Sequence, residues 1–322
     1  TYLHPNDSGA IGMAREHWRV LQSRGIRSGV PSSIGPSSPY SLGVNPRGNG
    51  NNASATNLTT LNAGVTGTGP DGWNFNVTGT STGVVTPGAV ARTDGRPGQL
   101  VQVAATIGSA GNAVQVFPAV NAGILLAGGS GVNGTTRANS TAYVHGMPRK
   151  FSDGNWYKVV QPGTTAASEP GSLPSAIGGF VTDGTVIWMR CPNLVPGAWL
   201  RAVAEFYFTA HGVSTIWPQV QLKQYASGYA NLAAGAVFEL NGTTYTAGNA
   251  GSSWGSVHAP GNTGHNGYKV GALPLNEPMR LESPWVQIAS DAVILEPMFR
   301  LLGGAGATCT VQISLSDMEI RA

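Results

Sequence analysis

Four aromatic residues carry the most direct chemical suggestion in this sequence. Trp156 and Tyr157 follow Asp153-Gly154-Asn155, Trp188 follows Asp183-Gly184-Thr185, and Trp254 lies in the Gly-, Ser-, His- and Asn-rich run from Gly248 to Gly267. Sugar rings present C–H faces that stack on indole and phenol rings, and an aromatic beside a turn can offer its face without opening a core. Trp156, Tyr157, Trp188 and Trp254 are therefore the candidate glycan contacts, with core packing as the competing reading. Trp73, Trp199 and Trp285 sit in or beside strand patterns and read as core or sheet-face packing. Other chemistry is thinly provided for. His258 and His265 have no Cys or carboxylate partners at ligand spacing, so no metal site is expected. Gly67-x-Gly69-x-x-Gly72 formally fits a dinucleotide fingerprint, but Pro70-Asp71 make a turn and a strand follows where that motif needs a helix. No cofactor is implied. Cys191 and Cys309 are the only cysteines; one disulfide is open to them, and two buried free thiols is the simpler state.

The elements that must position these residues are strands. Only 10% of the 322 residues are charged, against an average of about 25%, and 46 Gly with 21 Pro supply turns at a density that long helices would not tolerate. The class is all-β. The clearest strand follows Val195-Pro196-Gly197-Ala198-Trp199: Leu200, Ala202, Ala204, Phe206 and Phe208 fall on one side and Arg201, Glu205 and Tyr207 on the other. Shorter alternations run through 74–77, 99–103, 112–117, 219–223, 291–302 and 311–320, and Asn241-Gly242 marks a hairpin. Within 139–192, Asp153-Gly154 and Asp183-Gly184 each lie between β-rich flanks, which predicts two hairpins packed into a small sheet. The 18 Lys and Arg are scattered singly and the net charge is +3, so nucleic acid is not an expected partner. No apolar run approaches the roughly 20 residues of a bilayer span, so no membrane insertion is expected.

Three resemblances add to this reading. The order of a Gly-x-x-Gly-Trp turn (Gly69 to Trp73), the Pro196-Gly197-Ala198-Trp199 lead into a central strand, and a final strand from Val311 to Ile320 resembles jelly-roll carbohydrate-binding modules. The run Tyr143, Gly146, Trp156-Tyr157, Pro162-Gly163, Pro170, Asp183-Gly184, Trp188 resembles the small chitin-binding-like domains of phage tail fibres and spikes. At the other end, His4-Pro5-Asn6-Asp7-x-Gly9 precedes a helical stripe of Ile11, Ala14, Trp18 and Leu21, and resembles the last sequence block of SGNH (GDSL-type) hydrolases. That resemblance makes His4 the candidate general base. The Asp usual three residues before it is replaced by Thr1, and no Gly-Asp-Ser nucleophile block or Gly-x-Asn-Asp block follows, so the chain by itself is expected to be inactive.

The expected organisation is a helix closing an SGNH-like domain (1–26), a Gly/Pro/Ser-rich linker or strap (27–57), the first part of a jelly roll (58–138), a small β insert (139–192) and the second part of the jelly roll (193–322). A start at Thr1 without Met reads as the C-terminal part of a longer chain. Two functions fit. One is a virion fibre or spike protein that binds host-surface polysaccharide, closes as a homotrimer and joins other virion proteins. The other is a secreted bacterial SGNH carbohydrate esterase with an accessory binding module.

Overall fold

The computed structural model describes residues 38–43, 45–46, 56–58, 72–90, 100–110, 113–118, 124–132, 134–212, 216–230, 232–233, 236–240, 243–247, 253–257, 275–276 and 278–321. Among them the chain is strand and turn, with a single 3-10 turn at Ser227–Tyr229 and no α-helix. The helix expected within 1–26, with His4 before it, lies outside the described residues, as do His258 and His265.

Two antiparallel sheets form a sandwich. The larger contains β1 (Thr56–Leu58), β3 (Thr82–Val90), β4 (Leu100–Thr106), β13 (Trp199–His211), β15 (Ala236–Leu240), β16 (Thr243–Ala247), β18 (Met279–Glu282), β19 (Trp285–Gln287) and β21 (Thr308–Ile320). Its order is β1-β3-β4-β21-β13-β19-β15-β16, and β18 also pairs with β13. The smaller contains β2 (Trp73–Val77), β5 (Ala113–Pro118), β6 (Ile124–Leu125), β14 (Ile216–Tyr225), β17 (Ser253–Val257) and β20 (Ile294–Gly303). Its order is β17-β14-β20-β5-β2, with β6 also pairing with β20. The chain passes repeatedly between the two sheets, as from β2 to β3, β4 to β5, β13 to β14, β14 to β15, β19 to β20 and β20 to β21, so the two curled sheets are built jointly as one antiparallel sandwich.

The core between the sheets follows the period-two pattern. Leu200, Ala202, Ala204, Phe206 and Phe208 of β13 are all buried, and they meet Val220, Leu222, Phe299 and Leu301 from the opposite sheet and Val311, Ile313 and Ile320 of β21 in one cluster. Phe206 packs tilted on Phe299 with ring centroids 4.7 Å apart. β15 and β16 pair with Leu240 opposite Thr243, the register of a two-residue Asn241-Gly242 loop. Pro297 stands in a central strand without breaking it. It lies opposite Leu222 of β14, between the segments of β20 that pair with β6 (294–295) and with β5 (299–302).

The insert is a second, smaller packing unit. β8 (Pro148–Lys150), β9 (Trp156–Gln161), β11 (Phe180–Asp183) and β12 (Val186–Arg190) form a sheet in the order β11-β12-β9-β8, and β7 (Ala142–Tyr143) pairs with β10 (Gly163–Thr164) beside it. Both expected hairpins are present. In the second, Asp183 is itself paired, opposite Val186, so the loop is Gly184-Thr185. Gly184 has φ +65°, and an added Cβ would sit 2.4 Å from the Thr164 carbonyl oxygen.

Within the stretch expected as a linker, residues 38–43 and 45–46 pack as a strap between insert and sandwich. β4 pairs with β21 only as far as Ile313; beyond it Ser41 bridges Glu319, Leu42 N–H donates to the Met318 carbonyl and Ile320 N–H to the Tyr40 carbonyl. Leu42 is fully buried in the main core, and Trp73 Nε1–H donates to the Asn45 carbonyl at 2.8 Å. The strap thus continues the ladder where β4 stops.

Candidate functional site

The insert does not present the aromatics that its turns suggest. Trp156 is 2% exposed, and Tyr157 and Trp188 are 0% exposed. Trp188 stacks edge-on against Tyr143 and Phe151 at 5.1 and 5.2 Å, and Tyr157 lies 4.5 Å from Phe151, forming a separate core with Met147, Val159 and Val186. Trp156 points the other way, into the sandwich core. The expectation that these three form sugar platforms is therefore corrected. β9 and β12 are the two inner strands of the sheet in an insert of about fifty residues, and a unit that small can exclude water only by turning its largest side chains inward. Trp254 is also not in a loop: it lies in β17, opposite Leu222 of β14.

Polar anchoring of the insert is equally internal. Arg137 grips Asp183 with two bonds of 2.8 Å, Nε to Oδ2 and Nη2 to Oδ1, and also reaches the carbonyls of Ala166 and Ser168. Asp183 further accepts from Ala166 N–H and from Trp188 Nε1. Both partners of this ion pair are buried and hydrogen-bonded on every side, so it orders the insert and offers nothing to a ligand.

A second buried charge cluster locks strap, insert and sandwich together. Lys158 of β9 donates through Nζ to the carbonyls of Ser38 and Ser41. Asp317 of β21 accepts from Ser41 Oγ–H and Gly43 N–H, each at 2.7 Å. Burial lowers the Lys158 ammonium to about 8 against the pull of Asp317, and raises the Asp317 carboxyl to about 6 against the Ser41 hydrogen bond and the field of Lys158. Strap backbone fits tightly over the carboxylate, since a Cβ on Gly43 would lie 2.4 Å from Asp317 Oδ1.

The open face is the outside of the larger sheet. β3, β4, β21 and β13 lie side by side there, and their registers set outward residues in rungs. Thr82, Thr106 and Thr308 form the first; Val84, Ala104, Thr310 and Ala210 the second; Thr86, Gln102, Gln312 and Tyr207 the third. Small side chains in the first two rungs leave an open depression of about 510 Å³, closed at one end by His211 and Gly212. No Asp, Glu, Lys or Arg lines it. Cys309 lies beneath, its thiol pushed up to about 12 by burial and so unreactive. In the third rung Gln312 Nε2–H donates to Gln102 Oε1 at 3.2 Å.

Farther along the same face the surface becomes a fixed charge grid. Arg201 bonds Glu319 at 2.7 Å and also Glu282; Arg280 bonds Glu282 at 2.7 Å and both Glu205 and Glu319 at 3.0 Å; Arg321 bonds Glu239 at 2.9 and 3.1 Å. The Arg201 and Arg321 guanidinium groups stand 4.7 and 4.6 Å from the centre of the Trp285 ring, and Arg321 also covers Trp199. Trp199 and Trp285 are half-buried sheet-face residues, while Trp73 is core. Their arginine caps leave them poor sugar platforms.

The residues of the depression escaped the sequence reading because Thr, Ala and Val carry no motif. The available signal was the outward half of each alternating strand, which is unusually small and uncharged. Among the described residues no cluster of three or more His, Cys, Asp or Glu could hold a metal, and no helix is long and apolar enough to cross a membrane. Compared with known protein families, curated proteins and solved structures, the chain matches none.

Proposed function

We propose that this chain is a non-catalytic recognition module of a virion fibre or spike that binds host-surface polysaccharide on the outer face of its larger sheet. The observation that carries the proposal is the uncharged depression across four strands, lined by threonine hydroxyls and small apolar side chains. Neutral sugars are held by many neutral hydrogen bonds and shallow apolar contacts, and a site on strands keeps those groups in place without a ligand. Assignment to a virion rests on the fibre-type pattern of the insert, and homotrimeric assembly goes with it. The esterase reading depends on His4 and on sequence upstream of Thr1, and no described residue favours it.

The test is binding to a panel of bacterial surface polysaccharides, comparing the parent with Ala104→Phe, which fills the second rung. Loss of binding at unchanged melting temperature is the expected result; retained binding would place recognition elsewhere. Light scattering at micromolar concentration checks the assembly, with three times the mass of one chain expected and the mass of one chain contradicting it.

A further inference from the structure

We infer that the depression takes an extended chain of all-equatorial pyranoses laid across the strands, its rings on the methyl groups of the second rung and its rim hydroxyls on the threonines of the first. The inference rests on the glycan reading above and sharpens it to a chain shape. Both rungs line the depression, and they differ in kind. Val84, Ala104, Thr310 and Ala210 stand in register on β3, β4, β21 and β13, and all but Thr310 offer only methyl groups. Thr82, Thr106 and Thr308 stand in register one rung away, about 6.7 Å along the strands. All three are exposed, and among the described residues no group bonds their hydroxyls. On β13 the position beside Thr308 falls to Gly212, whose N–H donates to the Thr308 carbonyl. A Cβ at Gly212 would lie 2.9 Å from Thr308 Oγ1, so the glycine keeps that hydroxyl open.

A pyranose whose substituents are all equatorial is flat: C–H bonds make its two faces and hydroxyls its rim. Laid on a row of methyls it buries a C–H face, and its rim then meets the row of threonines, each of which can donate and accept. The repeat of the strands selects the linkage. Neighbouring strands lie about 4.8 Å apart, and an equatorially linked chain advances by a similar distance per ring, because its linking oxygens leave opposite ends of the ring close to its plane. One ring can therefore rest on each of β3, β4, β21 and β13. An axial linkage turns each ring against the last and coils the chain, so that neighbouring rings cannot lie flat on the row together. At about 510 Å³ the depression has room for more than one ring. With no charged side chain in the lining, an acidic sugar gains no partner there.

The experiment is isothermal titration of the chain with cellotetraose and maltotetraose, glucose tetramers with equatorial and with axial linkages. It is repeated on Ala104→Phe and on the double variant Thr82→Val/Thr106→Val, with melting temperature as the fold control. Valine keeps the shape of threonine and removes its hydroxyl, and two neutral hydrogen bonds correspond to about tenfold in affinity. Cellotetraose should bind at least about tenfold more tightly than maltotetraose, lose about tenfold in the double variant and lose binding in Ala104→Phe, all at unchanged melting temperature. Equal binding of the two tetramers, a preference for maltotetraose, or cellotetraose binding unchanged in the double variant overturns the inference and leaves the glycan reading standing. Cellotetraose binding unchanged in Ala104→Phe overturns both. No binding of either tetramer also overturns the inference; the glycan reading then falls only if no polysaccharide in the wider panel shows binding that Ala104→Phe removes.

Discussion

The insert and the outer face of the larger sheet divide the chemistry of this chain in opposite ways. The insert holds Trp156, Tyr157, Trp188, Asp183 and Lys158, with Arg137 just before it, and the fold buries all six. The outer face holds Thr, Ala and Val around an open depression. Size explains the difference. An insert of about fifty residues has little interior, so its large side chains must serve as core and its charges as cross-links. The sandwich has a full core of its own between two sheets, so the outward side of β3, β4, β21 and β13 is not needed for core packing.

The largest expected effect tests the insert half of this contrast. Trp188→Ala should destabilise the chain by about 3–5 kcal/mol, since it opens a cavity between Tyr143 and Phe151 and removes a donor from Asp183. Denaturant unfolding followed by fluorescence measures it; a change under about 1 kcal/mol would mean that the ring is not core.

Next comes the junction. Lys158→Met should destabilise by about 3 kcal/mol, because it leaves two strap carbonyls and a buried carboxylate without their cation. Its pH dependence has a definite sign. The Asp317 carboxyl is raised from 3.8 to about 6, so the fold holds this proton more tightly than the unfolded chain does. Stability from that group is present at low pH and lost as pH rises through about 6. Lys158 is lowered from 10.5 to about 8, and the stability linked to it is lost as pH falls through about 8. The junction should therefore be weakest between these two values. Melting temperature plotted against pH for the parent and Asp317→Asn checks this: the acid limb should flatten in the variant, and an unchanged limb would assign the effect to other groups.

A smaller effect separates sheet face from core. Trp199→Ala should cost about 1–2 kcal/mol, less than Trp188→Ala, because its ring is half-buried under Arg321 and borders no closed core. Equal losses at the two positions would erase the distinction.

What could be read from the sequence follows the same division. Alternation located β13 and the other long strands, and Asp-Gly and Asn-Gly located the hairpins, because both signals are local consequences of pleat and turn geometry. The direction in which an aromatic faces is not local. Trp156 and Trp188 are both in inner strands of the insert, yet one enters the sandwich core and the other the insert core, and that depends on which sheet packs over each side. The strap was open to either reading, since nothing in Ser38 to Pro46 announces that Lys158 and Asp317, far along the chain, will close on it. The depression was hardest to see: its rungs join residues more than 200 positions apart, as Thr106 and Thr308 show.

The account stands most directly on one comparison, the binding of host polysaccharide by the parent and by Ala104→Phe, with melting temperatures measured alongside. An outward residue on a sheet face should tolerate the larger ring within about 0.5 kcal/mol, so the account predicts an unchanged melting temperature and loss of binding of about tenfold or more. Full binding by Ala104→Phe would contradict it and return the search for the site to the rest of the surface.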